Sequence, residues 1–415
     1  MSTASFTSTI PQKLSPRKQL SFLKHHFTKG SFENLVGIVR SSLKNHKGGN
    51  LSVMAEDVGK CVSSISYFFN DAVWRVTDIR DALRLRLLRA DATRIEVGDL
   101  AAFDGSSISK KGTCFQFIGE TWDNADKATH RGYTLLMCAI VQVGKNTRWV
   151  FDEILYSNKD PKFQGIFPYT LRLLRRLFAV TSIMLVVFDS GFRNQYLLKY
   201  VVDQGRNFIL RVTLDMVVWS ASKEKKCTVL DIVSMAGAHT KALSVNGKSG
   251  WRVTWYSGIM NAWMRQIKVP LSIVLIHRPS FHKPMALVTS LAVENAEDAL
   301  HIYTTYLNRW KIEMLFQDIK ELGLESFRVR RKVAIMKYLT LVILVHSLLT
   351  LMLHFVRSVQ AFCSALEHIL KSKRKIPTLR FRGMKLFYEL FLQGRLSVQK
   401  VVTVAIHQDI LYEGR

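Results

Sequence analysis

The order of strand-like and helix-like segments after about residue 95 is the feature that most restricts the fold of this chain. Three strand candidates are followed by a helix, a buried strand, a helix and a further strand. Their sequences are IEVGDLAAFD, YTLLMCAIVQV, TRWVFDEILY, PYTLRLLRRLFAV, IMLVVFD, NQYLLKYVVDQ and FILRV. The strand candidates are rich in β-branched and aromatic residues, whereas the helix candidates carry apolar residues at helical spacing. This order predicts an α/β fold with an RNase-H-like core.

Acidic residues end two of these strand candidates. Asp104 follows LAAF, and Asp189 follows IMLVVF. Strand ends are rigid, and a site for two metal ions needs carboxylates that are held firmly in place. Asp99 lies earlier in the first strand candidate and competes with Asp104, but a charge that faces the core is costly unless it is paired. We therefore expect Asp104, which precedes the small residues Gly105-Ser106-Ser107, to be the functional acid.

A third acid lies in the segment YLNRWKIEMLFQDIK, for which the pattern predicts a single helix. At roughly 100° per residue, four polar residues fall on one stripe about 60° wide: Tyr306, Arg309, Glu313 and Lys320. Apolar residues fall on the opposite side: Ile312, Leu315, Ile319 and Leu322. Most such stripes are solvated faces with weak ion pairs. The two strand-end aspartates favour a functional site instead, because a carboxylate can hold a divalent metal and the cations can bind phosphates.

The charge of the chain favours a polyanionic partner. Its 415 residues include 59 Lys and Arg against 32 Asp and Glu, a formal charge of +27. Such cations displace the counterions that condense on nucleic acid, which makes binding depend on salt. A basic protein with other substrates, or one that binds a membrane surface, is the alternative. The five cysteines are scattered without a CxxC pair or zinc spacing, which indicates reduced thiols in the cytoplasm.

The apolar run from Tyr338 to Phe355 is long enough to suggest a membrane span. It contains His346, Ser347 and His354, and no second span accompanies it. We therefore expect a buried core helix, whose histidines pack in the core, and no membrane association. Asp203 and Asp318 are expected to be surface acids.

The N-terminal region reads as helical and carries the spacing of a helix-turn-helix. The segment is LSVMAEDVGKCVSSISYFFN. Ala55 is the small residue of the first helix and Gly59 lies in the turn, while Val62 and Ile65 are apolar residues of the second helix. Four residues of the second helix would then face DNA: Ser63, Ser64, Ser66 and Tyr67. An ordinary helical hairpin is the alternative.

The segments predict five regions. Residues 1–95 form a helical DNA-binding domain, and residues 96–213 form the first part of the RNase-H-like core. Residues 214–300 break the α/β alternation with strand candidates such as WRVTWYSGIM and form an antiparallel β insertion. Residues 301–360 complete the core, and residues 361–415 form a basic, helical C-terminal tail.

The spacing Tyr-x2-Arg-x3-Glu-x6-Lys, formed by Tyr306, Arg309, Glu313 and Lys320, resembles the signature of the DDE transposases of bacterial insertion sequences. It is similar to the cut-and-paste group, in which a β-strand insertion interrupts an RNase-H-like core. DGSSISKKG resembles the family's first-aspartate segment, FDSGFRN its second, and FILRV the arginine-bearing strand before the insertion. The resemblance spans roughly residues 95–335.

The resemblance implies a catalytic triad of Asp104, Asp189 and Glu313 that binds two Mg²⁺ ions, with Mn²⁺ as an alternative. It implies that four residues hold the DNA strand near the scissile phosphate: Arg211, Tyr306, Arg309 and Lys320. The implied partners are double-stranded DNA, as terminal inverted repeats and target DNA, and a second copy of the chain in the end complex. The implied location is the bacterial cytoplasm, at the nucleoid.

Some members of this family pass through a DNA hairpin and stack a flipped base on an aromatic residue of the insertion. Trp251, Trp255 and Trp263 are the candidates here, and ordinary packing is the alternative for each. Two other functions also fit the sequence. One is an RNase-H-like nuclease or resolvase without strand transfer, and the other is a DNA-binding relative that has lost catalysis.

Overall fold

The computed structural model describes residues 15–44, 50–123, 126–220, 226–231, 238–245, 248–260, 267, 269–279 and 283–355. The predicted tail 361–415 and Trp263 lie outside these residues. The fold is mixed α/β, as the sequence predicts. The helices are α1 (Pro16–Gln19), α2 (Lys29–Lys44), α3 (Leu51–Val58), α4 (Val62–Asn70), α5 (Val76–Arg89), α6 (Ile166–Val180), α7 (Gln195–Asp203), α8 (Ala296–Leu307), α9 (Trp310–Glu321) and α10 (Lys332–Phe355).

The strands follow in chain order and belong to one large sheet. They are β1 (Leu100–Ser109), β2 (Gly119–Asp123), β3 (Ala128–Gln142), β4 (Thr147–Tyr156), β5 (Leu185–Phe188), β6 (Asn207–Val212), β7 (Val217–Ser220), β8 (Lys226–Thr228), β9 (His239–Val245), β10 (Lys248–Met260), β11 (Leu271–His277) and β12 (Met285–Thr289). Their order in the sheet is β2-β3-β1-β5-β6-β12-β11-β10-β7-β8, with β4 also paired to β3 and β9 to β10.

The direction of the strands separates the sheet into two parts. β1, β5 and β6 are parallel neighbours, which requires the crossover connections that α6 and α7 provide. The strands of the predicted insertion are antiparallel, and β12 returns to pair with β6. The segment 214–300 therefore extends the main sheet. The boundaries of the five predicted regions stay a prediction.

Two elements differ from the sequence-based expectation. β1 continues past Asp104 to Ser109 because the DGSSIS segment keeps its pairing with β3, so Asp104 lies inside the strand rather than at its end. The predicted single helix around Glu313 is two helices, α8 and α9. At their junction, Asn308 and Arg309 donate backbone hydrogen bonds to residues three positions earlier, which tightens the chain into 3-10 turns.

Ion pairs fix the N-terminal helices to the sheet. Arg84 of α5 lies 3.3 Å from Asp152 of β4, and Arg80 is paired with Glu153 of the same strand. Both carboxylates are buried, so each needs its partner to offset the cost of leaving water. Arg80 also donates to the hydroxyl of Thr340 in α10. These contacts connect the N-terminal helices to the core through charged side chains as well as apolar ones.

Helix α10 is long and apolar enough to cross a membrane by length and composition, over Lys332–Leu351. In this structure 89% of its most apolar stretch is buried inside the protein. It packs against β4 and the N-terminal helices α2, α4 and α5. Its apolar character on all sides is therefore that of a helix surrounded by protein.

Candidate active site

The parallel pairing of β1 with β5 places the first two predicted acids side by side. Phe103 is opposite Phe188 in the register, so Asp104 and Asp189 are the next residue on each strand. β5 ends at Phe188, whereas β1 continues along β3. Asp104 therefore lies where β1 loses its parallel neighbour, and its carboxylate is reachable although the strand goes on.

Glu313 approaches the same place from α9. Apolar residues on the other side of this helix are fully buried and fix it to the sheet: Ile312, Leu315 and Ile319. The tight turn between α8 and α9 places Tyr306 and Arg309, three positions apart, on the side of Glu313. The acids thus meet because α9 packs against β1, which carries Asp104, and β5, which ends before Asp189, is the parallel neighbour of β1.

The guanidinium of Arg309 connects the whole site. Its Nη1 donates to Oδ2 of Asp104 at 3.1 Å, and its Nη2 donates to Oε1 of Glu313 at 2.6 Å. Its Nε donates to the Tyr306 hydroxyl at 3.2 Å, and that hydroxyl donates to Oδ1 of Asp189 at 3.4 Å. The structure thus brings together all three predicted acids, two directly and one through a phenol.

Burial and charge shift the protonation of these groups. Burial raises the pKa of Asp104 to about 6 against the opposing pull of Arg309, and the nearby Glu313 and Asp189 add to the increase. Burial also raises the pKa of Tyr306 to about 12, so this phenol keeps its proton. Burial lowers the pKa of Arg309, but Tyr306 and the three acids outweigh it and raise the pKa overall. Arg309 is therefore a fixed cation.

The other two predicted DNA-binding residues of the core lie at different distances from the acids. Arg211 on β6 is half-exposed, and its Nη1 lies 4.0 Å from Oδ1 of Asp189. Lys320 at the end of α9 lies 2.8 Å from Oε1 of Glu325 and is held by that pair. Arg211 thus borders the acidic site, whereas Lys320 points to the loop after α9.

The competing acids have structural roles. Asp99 accepts hydrogen bonds from the backbone N–H groups of Glu96 and Val143, which explains why a charged residue is tolerated in this largely buried position. Asp203 is half-exposed and paired with Lys199, as expected of a surface acid.

The expectation for Asp318 was wrong. It is 2% exposed, and its Oδ2 lies 2.6 Å from Nη2 of Arg148 and 3.8 Å from Nε2 of His346. β4 and α10 pack against α9 and cover Asp318 through Arg148 and His346. His346 is buried, as predicted, and the His354 side chain lies outside the described part.

The side chains near the three acids show whether they could hold the predicted metal ions. Among the residues that the structure describes, no group of three or more His, Cys, Asp or Glu side chains is arranged to hold a metal ion. The Arg309 guanidinium lies between the oxygens of Asp104 and Glu313. Carboxylate oxygens are the ligands that Mg²⁺ and Mn²⁺ prefer, and these two already face one cation. The carboxylates are thus of the right chemical kind for a divalent ion, while in this structure Arg309 lies between two of them.

The predicted helix-turn-helix is a pair of short helices with a tight turn. Gly59 ends α3 with a φ of 67°, a left-handed conformation that strongly favours glycine. Ala55 and Ile65 are buried as expected, whereas Val62 is exposed because it starts α4 outside the packed side. Ser63 and Tyr67 are exposed on α4, with Ser64 and Ser66 partly exposed beside them. These four residues are accessible, and their contact with DNA stays a prediction.

Two of the predicted insertion aromatics take part in packing. The ring of Trp251 lies 5.9 Å from that of Tyr303, and Trp255 stacks on His239 at 5.4 Å. Trp255 is also buried. Ordinary packing accounts for both.

Sequence reasoning missed a basic wall beyond the acids, formed by Lys110, Lys111 and Arg328. The first two belong to the DGSSISKKG segment that carried the resemblance, and that adjacent pair was the available signal. Arg328 lies in FRVRRK, directly after the α9 region.

Comparisons with known proteins were made for the whole chain. The family model described as a transposase DDE domain matches residues 96–348, which include all three acids. No curated protein matches the chain. Among solved structures, a cryo-EM structure of the piggyBac transposase synaptic complex with hairpin DNA is 12% identical, with a TM-score of 0.43. That match covers 89% of this chain and 73% of the other.

Proposed function

Because this chain belongs to the transposase DDE domain family, we propose that it is the cut-and-paste transposase of a bacterial insertion sequence. It binds the terminal inverted repeats of its element and catalyses Mg²⁺-dependent DNA cleavage and strand transfer. The observation that carries the proposal is the convergence of Asp104, Asp189 and Glu313 on one buried arginine. It acts at the nucleoid, as a homodimer in the end complex.

The strand order supports an RNase-H-like core. β4-β3-β1-β5-β6 are neighbours in that order, with β3 antiparallel and β1, β5 and β6 parallel. Asp104 on β1, Asp189 directly after β5, and Glu313 on α9, which packs against β1, form one site. The N-terminal helices, with the exposed residues of α4, supply the proposed DNA-binding domain.

The chemistry is phosphoryl transfer, in which the protein contributes mainly positioning and charge. Two bound Mg²⁺ ions would activate water or a 3′-hydroxyl and stabilise the leaving oxygen. Asp104, Asp189 and Glu313 would hold them. Arg309 keeps the carboxylates together, and its planar guanidinium matches phosphate oxygens when one carboxylate is released. Tyr306 remains a neutral donor beside Asp189.

The test is cleavage of a labelled duplex that carries the DNA flanking the coding region, with purified full-length protein and Mg²⁺. Asp104→Asn, Asp189→Asn and Glu313→Gln should each abolish cleavage but retain DNA binding, because the amides keep the shape and lose the charge. Full cleavage by one variant removes that residue from the triad. Cleavage without joining to target DNA would indicate a nuclease, and binding without cleavage by the wild type would indicate a silent relative.

A further inference from the structure

A groove of about 450 Å³ lies between the N-terminal helices and the end of β1. Three segments line it: the residue before α3, the residues that follow β1, and the loop after α9. The lining residues that matter here are Asn50, Lys110, Lys111, Glu325, Phe327 and Arg328. We name it the β1-end groove. Its size is within the range of ordinary ligand sites, roughly 300–1,000 Å³.

Lys110 is a fixed positive charge in the wall of this groove. Its Nζ donates to the backbone carbonyl oxygens of Glu325 at 2.5 Å and Phe327 at 2.9 Å. The same nitrogen lies 3.5 Å from the centroid of the Phe327 ring. Burial lowers the pKa of Lys110 to about 8, so it is still protonated at neutral pH. These contacts hold the Lys110 ammonium group in one position in the wall of the groove.

The other cations of the β1-end groove are available to a ligand. Lys111 and Arg328 are exposed, and neither forms an ion pair with another described residue. The one acid of the lining, Glu325, is engaged by Lys320. Asn50 caps the N-terminus of α3, and a helix N-terminus carries a partial positive charge. The lining therefore carries three cations, Lys110, Lys111 and Arg328, against the single acid Glu325.

The geometry points to the β1-end groove as a binding site for the DNA backbone between the helices α3 and α4 and the scissile phosphate. This inference rests on the proposed function, because the catalytic acids define where the cut is made. Lys110 is six residues beyond Asp104 along β1, a distance of about 20 Å at roughly 3.3 Å per residue. At about 3.4 Å per base pair, a duplex that runs along the direction of β1 would place a phosphate of the groove about six base pairs from the cut.

The experiment measures affinity of the full-length protein for a short random-sequence duplex over a range of salt concentrations. The variant carries Lys111→Ala and Arg328→Ala. Each lost phosphate contact should lower the magnitude of the salt slope by about 0.9, and therefore by about 1.8 for the pair. Arg94→Ala is the matched control, because it removes an exposed arginine before the start of β1, at the opposite end of that strand.

A charge-preserving variant, Lys111→Arg with Arg328→Lys, separates a lost contact from a damaged fold and should bind as the wild type does. Phosphate-ethylation interference on the element's own flanking DNA should show a block about six base pairs from the cut. An unchanged salt slope in the alanine variant would refute the proposal that the β1-end groove binds the DNA backbone. Wild-type protein without salt-dependent DNA binding overturns the proposed function as well, so the two failures are distinguishable.

Discussion

Nη1 of Arg309 lies 3.1 Å from Oδ2 of Asp104, although 205 positions separate the two residues in the chain. The same guanidinium is bonded to Glu313 four positions later. An arginine that the sequence assigns to the DNA strand therefore lies between two acids that the sequence assigns to metal. In the metal-free protein it is the cation that holds their charges together.

Replacing Arg309 should therefore affect the metal-free protein first. Arg309→Ala leaves three partly buried carboxylates without their shared cation, so the free energy of unfolding should fall by about 1–3 kcal/mol. Mg²⁺ should then raise the unfolding temperature more in the variant than in the wild type, because no side chain competes for Asp104 and Glu313. Thermal unfolding with EDTA and with Mg²⁺ measures both effects.

The change in the Mg²⁺ concentration needed for half-maximal stabilisation, whether it rises, falls or stays the same, separates three roles of Arg309. If it only binds DNA, the Mg²⁺ concentration for half-maximal stabilisation stays unchanged. If it orients Glu313 for the metal, Arg309→Ala needs more Mg²⁺. If it occupies the place of a metal, the variant needs less. Arg309→Lys, which keeps a cation but not the planar geometry, should lie between the variant and the wild type.

The raised pKa of Asp104 predicts how stability depends on pH. The folded protein holds this proton up to about pH 6, whereas the unfolded chain loses it near the ordinary aspartate pKa of 3.8. Between these values the native state binds more protons, so this group's contribution to stability is lost as pH rises. With EDTA present, Asp104→Asn should gain stability relative to the wild type from about pH 4 to pH 6. Unfolding at a series of pH values measures the difference, and a constant difference would contradict the shift.

Asp318 and Asp203 form a matched pair for the cost of losing a charge. Asp318→Asn leaves the largely buried Arg148 beside a neutral amide and should reduce the free energy of unfolding by about 2–4 kcal/mol. Asp203→Asn removes an exposed i,i+4 pair with Lys199 and should change it by no more than about 0.5 kcal/mol. Urea unfolding of both variants provides the comparison. Equal losses would place Asp318 in a solvated position.

The exposed side of α4 should decide which DNA sequence is bound. Tyr67→Ala and Ser64→Ala should reduce the preference of the full-length protein for its own element ends more than its affinity for random DNA. The reason is that contacts to base edges specify a sequence, whereas phosphate contacts only position the protein. Competition binding with end and random duplexes measures the ratio. Ser63→Ala should act in the same direction, and an unchanged ratio in all three would remove α4 from recognition.

The sequence by itself determined most of the elements and pointed to the three acids that the structure brings together. Periods of two and of 3.6 residues mark strands and helices locally, so the β-β-β-α-β-α-β order was predictable, although the short strand β2 was missed. Asp104, Asp189 and Glu313 stood out because the chain places each at a position that packing can hold rigidly. The turn of Gly59 was equally local, since it depends on one backbone conformation.

Only the tertiary structure decided which charges face each other. Helical spacing put Arg309 on a polar stripe, and Asp318 was expected at the surface, but the folded chain buries both. The pairing of Arg309 with Asp104, and of Asp318 with Arg148, joins residues that are far apart in sequence. Burial, and with it the strength of an ion pair and the shift of a pKa, depends on everything that packs around a residue. A periodic sequence pattern indicates which side of a helix or strand a side chain is on, but not which residues of the folded chain pack against that side.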